Sequence, residues 1–583
     1  MHRVLGRALQ TFLRNERGNV FILFGATAIP LFLFMGGAVD FARYTRYKAD
    51  LANAVDASAL ALARQGGDLD EAQATVFVTN YVESFPMGDN EFSVETYDVE
   101  KLSNGYRVSA SGTVQAKFLP VAKLSNIGVN LDVLQVNIMA EVLHSSQPIE
   151  LALVFDNTGS MNCGNVQTGG CANNWSNPGP LSRIVALRAA AHTLIDSLMT
   201  DQDSDHVKVA LVPFEGDVNI GPTYVNATYA GNPPSWLDWN DEAKAKYNGQ
   251  NFGKFDFVAN AACTTGANCK TVGAKWLFNK LTAKDANVKW AGCVEMRAEP
   301  YDLSDGEPST FLPDTLFVPR FWPDEPDGNN DDGDNYQNNY LNDKMTGGAA
   351  AAQKSLAKYT SSSLAWQSGM KDTAFPYEHG PNWGCPRPIV PLTANKATID
   401  TAITNMLAYY STGTFIPTGL VWGWHVLSNT EPFVEGIGPD DEDFDKTLKA
   451  VILFTDGENV VSGTNNHNGS RFSGYNYTAL QVGGTYRLGS PNASVAVNNM
   501  DIKTAELCEN VKTNGTVAED DDGIRLYTIT FGSMSVADED LMRDCASLDD
   551  DGEPLYFHAP TTGTLQGIFD EIGQDLTEIR LSM

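Results

Sequence analysis

Three short segments carry oxygen ligands at spacings that could serve one chemical purpose. The apolar run 149–155 leads into Asp156-Asn157-Thr158-Gly159-Ser160, so a carboxylate and two hydroxyls in alternate positions of a tight turn can aim at one point. A second apolar run, 450–454, ends in Thr455-Asp456-Gly457-Glu458-Asn459 and supplies another carboxylate. Gly413-Thr414, ahead of the helical run GLVWGWHVL, offers a further hydroxyl. Oxygen-only ligands of modest charge suit magnesium or another divalent cation, which takes octahedral geometry and keeps positions for water or an outside ligand. Two aspartates roughly neutralise the ion, and an open position can accept a partner's carboxylate. The predicted chemistry is therefore metal-mediated binding through Asp156, Thr158, Ser160, Thr414 and Asp456, with no catalytic residue. A single turn of this kind would be read as Asp and Ser capping a helix. Two aspartates at separate strand ends, with Thr414 beside them, favour the metal site.

The elements that must position these residues alternate. Predicted strands are IELALVF (149–155), VKVALVPF (207–214), LKAVILF (448–454) and IRLYTITF (524–531); predicted helices cover 181–199, 500–513 and 564–576. Near-continuous apolar strands between amphipathic helices predict an α/β fold with a parallel, doubly wound sheet covered on both faces. Such folds place ligands at the carboxyl ends of their strands, where Asp156 and Asp456 fall. The alternation breaks over about 216–395, a stretch rich in Trp, Pro, Asn and Gly, which predicts an inserted unit with a core of its own. Within it, the acidic tract 323–339 loosely resembles a calcium loop. Placing Gly333 at the sixth loop position puts Gly328 where the first carboxylate belongs, so a solvated surface loop is predicted and calcium is not. Residues 92–144 switch to short alternating runs around an Asn104-Gly105 turn, the pattern of a small β or α+β module.

The chain has 583 residues, which at about 150 residues per domain allows roughly four compact units or fewer. Asp and Glu outnumber Lys and Arg by 72 to 40, and a net charge of -32 argues against sequence-independent nucleic-acid binding. With 43% hydrophobic and 19% charged residues, the composition is that of a folded protein. Between Arg17 and Asp40 lie 22 residues without a charge, which as a helix reach about 33 Å and can cross a bilayer. Pro30 is tolerated in a membrane span. Arg3, Arg7, Arg14 and Arg17 precede the run, so the positive-inside rule keeps the N-terminus cytoplasmic and exports the rest. A cleaved signal peptide would end its apolar stretch in irregular chain, whereas here Tyr44, Tyr47, Leu51, Val55, Ser58 and Leu62 continue a helical stripe. That stripe is suited to packing on the protein's own next domain or to self-association. The predicted organisation is a basic cytoplasmic segment (1–17), a transmembrane helix (18–39), a helical stalk (40–66), a small module (67–145) and an α/β domain (148–583) with its insertion.

Eight cysteines, none before Cys163, lie in the exported part, so disulfides are expected. Short separations favour Cys163 with Cys171 and Cys263 with Cys269, leaving Cys293, Cys385, Cys508 and Cys545 for longer bridges; Cys293 with Cys385 and Cys508 with Cys545 is the expected pairing, although eight cysteines permit 105 connectivities. No CxxC pair and no HExxH motif occurs, which argues against zinc.

Asp156, Thr158, Ser160, Thr414 and Asp456 resemble the metal-ion-dependent adhesion site of von Willebrand factor A domains. That resemblance implies a Rossmann-like sheet, and Thr158 departs from the family's Asp-x-Ser-x-Ser pattern while keeping a hydroxyl. The N-terminal stretch RGNVFILFGATAIPLFLFMGGAVDFARYTRYKADLANAVDASALALA, joined to LFTDGEN, GCVEMR, CPRPIVPLT and GLVWGWHVLS, resembles TadG-type proteins of bacterial tight-adherence (Tad, Flp) pilus assembly. The likeness implies a single-pass inner-membrane protein with a periplasmic or surface-exposed body. Such a protein supports assembly or anchoring of the pilus, with pilus subunits or other assembly proteins as partners. Gly18 is followed five residues on by Leu23 rather than glutamate, so prepilin-type cleavage is not expected.

Two rival readings exist. A surface adhesin outside any pilus system would use the same site. Asp-Asn-Thr-Gly-Ser also resembles the phosphorylated turn of cation-pumping ATPases, but Asn157 replaces lysine, one span is expected, and the site would face away from cytoplasmic ATP. No phosphate loop or nucleophile elbow is present, so an enzyme is not predicted.

Overall fold

The computed structural model describes residues 19–64, 69–85, 92–102, 105–120, 132–143, 148–164, 178–179, 182–199, 206–224, 233–239, 246–247, 250–251, 254–258, 269–326, 336–342, 349–360, 365–369, 373–408, 412–482, 485–513 and 523–582. The chain divides into two units, residues 1–146 and 147–582.

In the first unit, helices α1 (Asn19–Arg64) and α2 (Glu71–Ser84) accompany an antiparallel sheet of β1 (Phe92–Leu102), β2 (Gly105–Gln115) and β3 (Val133–Leu143) in sequence order. Helix α2 begins at a capping box, in which the Gln73 N–H donates to Asp70 and the Asp70 N–H to the Gln73 side chain. The stripe Tyr47, Leu51, Val55, Ser58 and Leu62 is buried, and its apolar members share a core with Val78, Val82, Val108 and Val136. This corrects the idea of self-association through the stalk. Those side chains are already spent on the unit's own core, and Ser58 donates to the Val55 carbonyl.

A single helix covers the apolar run, yet among the described residues no helix is long and apolar enough to cross a membrane. Gly36 lies where a Cβ would stand 2.6 Å from the Phe118 Cβ, and Asp40 is buried against residues 117–119, so the end of the run belongs to the folded unit. Phe24, Leu31, Phe34 and Met35, ahead of that junction, are exposed.

The second unit is built on six strands: β4 (Ile149–Asp156), β5 (Val207–Phe214), β6 (Val390–Thr393), β7 (Leu448–Thr455), β8 (Arg525–Phe531) and β9 (Tyr556–Ala559). They lie in the order β6-β5-β4-β7-β8-β9. All neighbours are parallel except the edge pair β6 and β5. The unit is thus α/β and doubly wound, with a mixed, mostly parallel sheet, and β6 is the departure from the all-parallel expectation. Counted within the unit, the order is 3-2-1-4-5-6, which reverses between β4 and β7.

Period-two alternation divides the strands between two cores. Leu151, Leu153, Phe155, Ile452 and Phe454 face helices α3 (Arg183–Leu198), α5 (Lys396–Asn405) and α9 (Thr562–Ser582). Ala152, Val154, Val451 and Leu453 share a core with α6 (Ile416–Leu427), α7 (Ala493–Lys512) and α8 (Val536–Cys545). Every residue of α6 is buried, and two glycines let it approach the sheet closely: a Cβ at Gly419 would meet Phe214 at 2.4 Å, and one at Gly423 would meet Val154 at 2.4 Å. An alanine at either should cost about 1–3 kcal/mol of overpacking.

The inserted region divides its apolar side chains between small clusters such as Ala291, Cys293 and Cys385 and the main core of the α/β unit. Trp236, Trp239, Phe317 and Phe321 join the same apolar cluster as α6, with Phe317 5.0 Å from the Trp422 ring. Helix α4 (Ala274–Lys284) and a small sheet pairing 318–319, 293–295 and 218–219 complete that side. The acidic tract 323–339 is a second difference. Its middle, 327–335, lies outside the described residues, but both described ends are buried rather than solvated. Asp324 pairs with Lys358 at 2.8 Å, and Glu325 accepts from the Asn338 N–H at 3.0 Å.

The pairs Cys293–Cys385 and Cys508–Cys545 form as expected. The second joins α7 to the last residue of α8. Cys163 is also disulfide-bonded, while Cys171 and Cys263 lie outside the described residues. Disulfides of this kind mark an oxidising, extracytoplasmic compartment.

Candidate metal centre

The register of the two central strands sets the site. Phe155 pairs with Phe454, so Asp156 at the end of β4 lies beside Thr455 at the end of β7, and Asp456 follows one residue later. This is the point where strand order reverses, and the crevice outside such strand ends is where open α/β sheets take their ligands.

A chain of short contacts links the residues. Asp156 Oδ1 accepts from the Thr158 N–H at 2.8 Å, closing the turn, and Asp156 Oδ2 accepts from Thr455 Oγ1 at 2.9 Å. Thr158 Oγ1 and Ser160 Oγ stand 2.9 Å apart, and Ser160 Oγ donates to Asp456 Oδ1 at 2.6 Å. The turn leads into a 3-10 segment, Gly159–Asn162, whose first cap is Thr158. Four of the five expected residues, Asp156, Thr158, Ser160 and Asp456, are therefore brought together.

Thr414 is placed differently. It is buried on a two-residue strand, 413–414, that pairs antiparallel with 460–461, just beyond Asp456. Gly413 has φ 117°, and a Cβ there would stand 2.1 Å from the Val460 carbonyl oxygen, so only glycine allows this approach. No hydrogen bond joins Thr414 to the other four among the described residues.

Two residues missed from the sequence complete the arrangement. Thr455 donates to Asp156 and accepts from the Gly457 N–H at 3.2 Å. Arg183, the first residue of α3, places Nη1 2.6 Å from Asp456 Oδ2. A cation at a helix N-terminus opposes the helix dipole, so its position there was the available signal that something else holds it. Its guanidinium also lies 5.7 Å from the Phe531 ring centroid, and its backbone N–H donates to the Cys163 carbonyl at 3.1 Å.

Burial governs the electrostatics. It pushes the Asp156 carboxyl up to about 7, with the neighbouring Asp456 adding to the effect and hydrogen bonds from Thr158 and Thr455 opposing it. Asp456 is raised as well, again by burial, with Arg183 and Ser160 pulling it down.

These residues fit a hard divalent cation in donor chemistry. All are oxygen donors, and hydroxyls can turn to offer lone pairs instead of protons. The 2.9 Å between Thr158 and Ser160 oxygens matches the edge of an octahedron with metal–oxygen distances of about 2.05 Å. Asp156, Thr158, Ser160 and Asp456 would hold the ion, which would supply a Lewis-acidic position for an outside carboxylate. Among the described residues no group of three His, Cys, Asp or Glu side chains forms a metal cluster of the carboxylate- or imidazole-rich kind.

Comparison with known proteins bears on the other end of the chain. Residues 18–65 match the family described as putative Flp pilus-assembly TadE/G-like. The N-terminal region is TadE/G-like. Among curated proteins none matches the chain. Of solved structures, the pilus adhesin SpaC from Lactobacillus rhamnosus GG is 11% identical with a TM-score of 0.27, covering 84% of this chain and 35% of its own. The PilB minor pilin from Streptococcus sanguinis is 13% identical with a TM-score of 0.27, covering 84% of this chain and 78% of its own. The pilus adhesin RrgA from Streptococcus pneumoniae is 10% identical with a TM-score of 0.26, covering 82% and 50%. The chain thus spans about a third of the length of SpaC.

Proposed function

We propose that this protein is a non-enzymatic assembly or anchoring factor of a Tad/Flp-type pilus that binds a partner through a metal-ion-dependent site on a von Willebrand A-type domain. The TadE/G-like match over 18–65 supplies the pilus context. The observation that carries the binding reading is the hydrogen-bonded set Asp156, Thr158, Ser160 and Asp456 at the switch point between β4 and β7. Thr414, on the strand paired with 460–461, is the fifth oxygen of this reading. The ion is magnesium or a similar divalent cation, and the partner a pilus subunit or another assembly protein that presents a carboxylate. The apolar run ahead of Gly36 anchors the chain in the inner membrane, with the N-terminus cytoplasmic and the disulfide-bonded body outside.

Phosphoryl transfer is disfavoured because Asn157 stands where the phosphorylated turn of cation-pumping ATPases carries lysine, and the sequence holds no phosphate loop. The test is calorimetric titration of magnesium into the purified exported body, together with pilus counts in cells carrying Asp156→Ala. Magnesium binding lost in the variant, with pili or pilus-dependent adhesion impaired at unchanged protein level, supports the reading. Normal pili and adhesion in the Asp156→Ala cells would refute it.

A further inference from the structure

Among the described residues Arg183 is the cation that contacts the candidate site's Asp456, and its contacts define a role that the ligand set alone does not. Asp456, whose side chain is 0% exposed, has both oxygens occupied: Ser160 donates to Oδ1 at 2.6 Å and Arg183 to Oδ2 at 2.6 Å. The arginine is held rather than swinging freely. Its backbone is tied to Cys163, a disulfide-bonded residue of the turn that carries Thr158 and Ser160, and its guanidinium rests near the Phe531 ring. Yet its side chain keeps 15% exposure, so an outward path to solvent exists.

A buried carboxylate left without a counter-charge is strongly unfavourable, and a guanidinium is the weakly hydrated cation best suited to stand in. A divalent ion bound by Asp456 would bring a second positive charge to the place Arg183 now neutralises. Two cations within hydrogen-bond range of one carboxylate repel each other, so each holds Asp456 less tightly in the presence of the other.

We propose that Arg183 is the resident counter-ion of Asp456 and competes with the divalent cation, setting the affinity of the site and its selectivity for metal over the metal-free state. The proposal rests on the metal-binding reading above. Metal binding works against the Arg183–Asp456 contact and drives the guanidinium outward, so the ion's gain is reduced by the weakening of that charge-assisted bond. The released guanidinium then stands at the rim, where an incoming partner carboxylate would meet it together with the metal.

The test is magnesium titration by calorimetry and thermal melting, in EDTA and in magnesium, on the wild type, Arg183→Ala and Arg183→Gln. Glutamine keeps a donor for Asp456 and most of the packing while removing the charge, so it serves if alanine prevents folding. Loss of a charge-assisted hydrogen bond that the metal otherwise weakens should tighten magnesium binding by about tenfold. Both variants should also melt at lower temperature than wild type in EDTA and recover most of that loss in magnesium. Equal or weaker magnesium binding by the variants would overturn the competition while leaving the metal site intact. Absence of magnesium binding in all three proteins would overturn both readings, and a loss of stability that magnesium fails to restore would mark Arg183 as a purely structural ion-pair partner.

Discussion

Asp40 in the first unit and Asp156 in the second are both buried aspartates at the end of an apolar run, and the protein treats them in opposite ways. Asp40 is 1% exposed and accepts backbone N–H bonds from Lys117, Phe118 and Leu119 at 2.8–2.9 Å, with Arg43 3.7 Å away. Burial pushes its carboxyl up, but those three donors outweigh it and hold the group below its ordinary value. Asp156 receives one backbone N–H and one hydroxyl, sits beside a second carboxylate, and is pushed up to about 7. Backbone donors cannot turn away, so Asp40 is permanently satisfied and serves as an anchor. Hydroxyl donors can reverse, so the Asp156 cluster retains the capacity to take a cation.

The largest effect should come from Asp40→Ala, which removes the acceptor of three part-buried N–H groups. At about 1 kcal/mol for each lost hydrogen bond, the first unit should lose about 3 kcal/mol, read as faster amide exchange at residues 117–119 and a lower melting temperature. Unchanged exchange would remove the anchor role. Asp156→Ala should act in the other way: modest change in EDTA, but loss of the magnesium-dependent stabilisation, which is about 2.7 kcal/mol when the free ion is 100-fold above its dissociation constant. Equal destabilisation by Asp156→Ala with and without magnesium would erase the contrast between the two aspartates.

A finer test separates the hydroxyls. Thr158→Val preserves shape and removes an oxygen that bonds directly to Ser160, so magnesium affinity should fall on the order of tenfold. Thr414→Val should reduce it less, because Thr414 shares no hydrogen bond with the set. A larger loss at Thr414 would move the centre of the site toward 413–414.

The smallest expected effect is in pH dependence. Burial also pushes Asp217 and Glu295 up to about 7, with Arg320 opposing it at Asp217 and Arg487 at Glu295. A carboxyl whose folded value exceeds its unfolded one contributes stability that is full below about pH 4 and is lost as pH rises through about 7. Asp40, shifted downward, contributes stability present above about pH 4 and lost as pH falls through its folded value. In EDTA, lowering the pH from 7.5 to 5 should therefore raise the stability of the second unit and leave the first nearly unchanged. Asp217→Asn should shrink that gain, as followed by melting at each pH. The same gain in both variant and wild type would assign it to other groups.

Legibility in the sequence followed burial. Strands β4, β5, β7 and β8 are apolar almost throughout because both faces are covered, and their runs could be read directly. The edge strand β6, Val-Pro-Leu-Thr, is four residues long and only partly buried, so neither length nor pattern announced it. Helix α8 buries only Met542 and Cys545, which left its periodicity too weak to read despite the Ser535 cap. The buried ends of the acidic tract were illegible for a related reason. Asp324 and Glu325 are tolerated inside because Lys358, Trp322, Tyr477 and Asn338, most of them distant in sequence, supply partners.

The sequence by itself determined the doubly wound α/β class, the strand ends that bear Asp156 and Asp456, and the pairs Cys293–Cys385 and Cys508–Cys545. The first two depend on local periodicity and on turns that follow strands; the four thiols left once near neighbours are matched allow three pairings, of which the structure forms the expected one. Only the tertiary structure decided that the stalk stripe is consumed by its own unit, that the inserted aromatics extend the core of α6, and that Arg183 closes on Asp456. Each of these is a contact between residues far apart in the chain, set by strand order and by which face a helix presents. Neither is written in the spacing of neighbouring residues, because register and crossover fix them only once the whole sheet has formed.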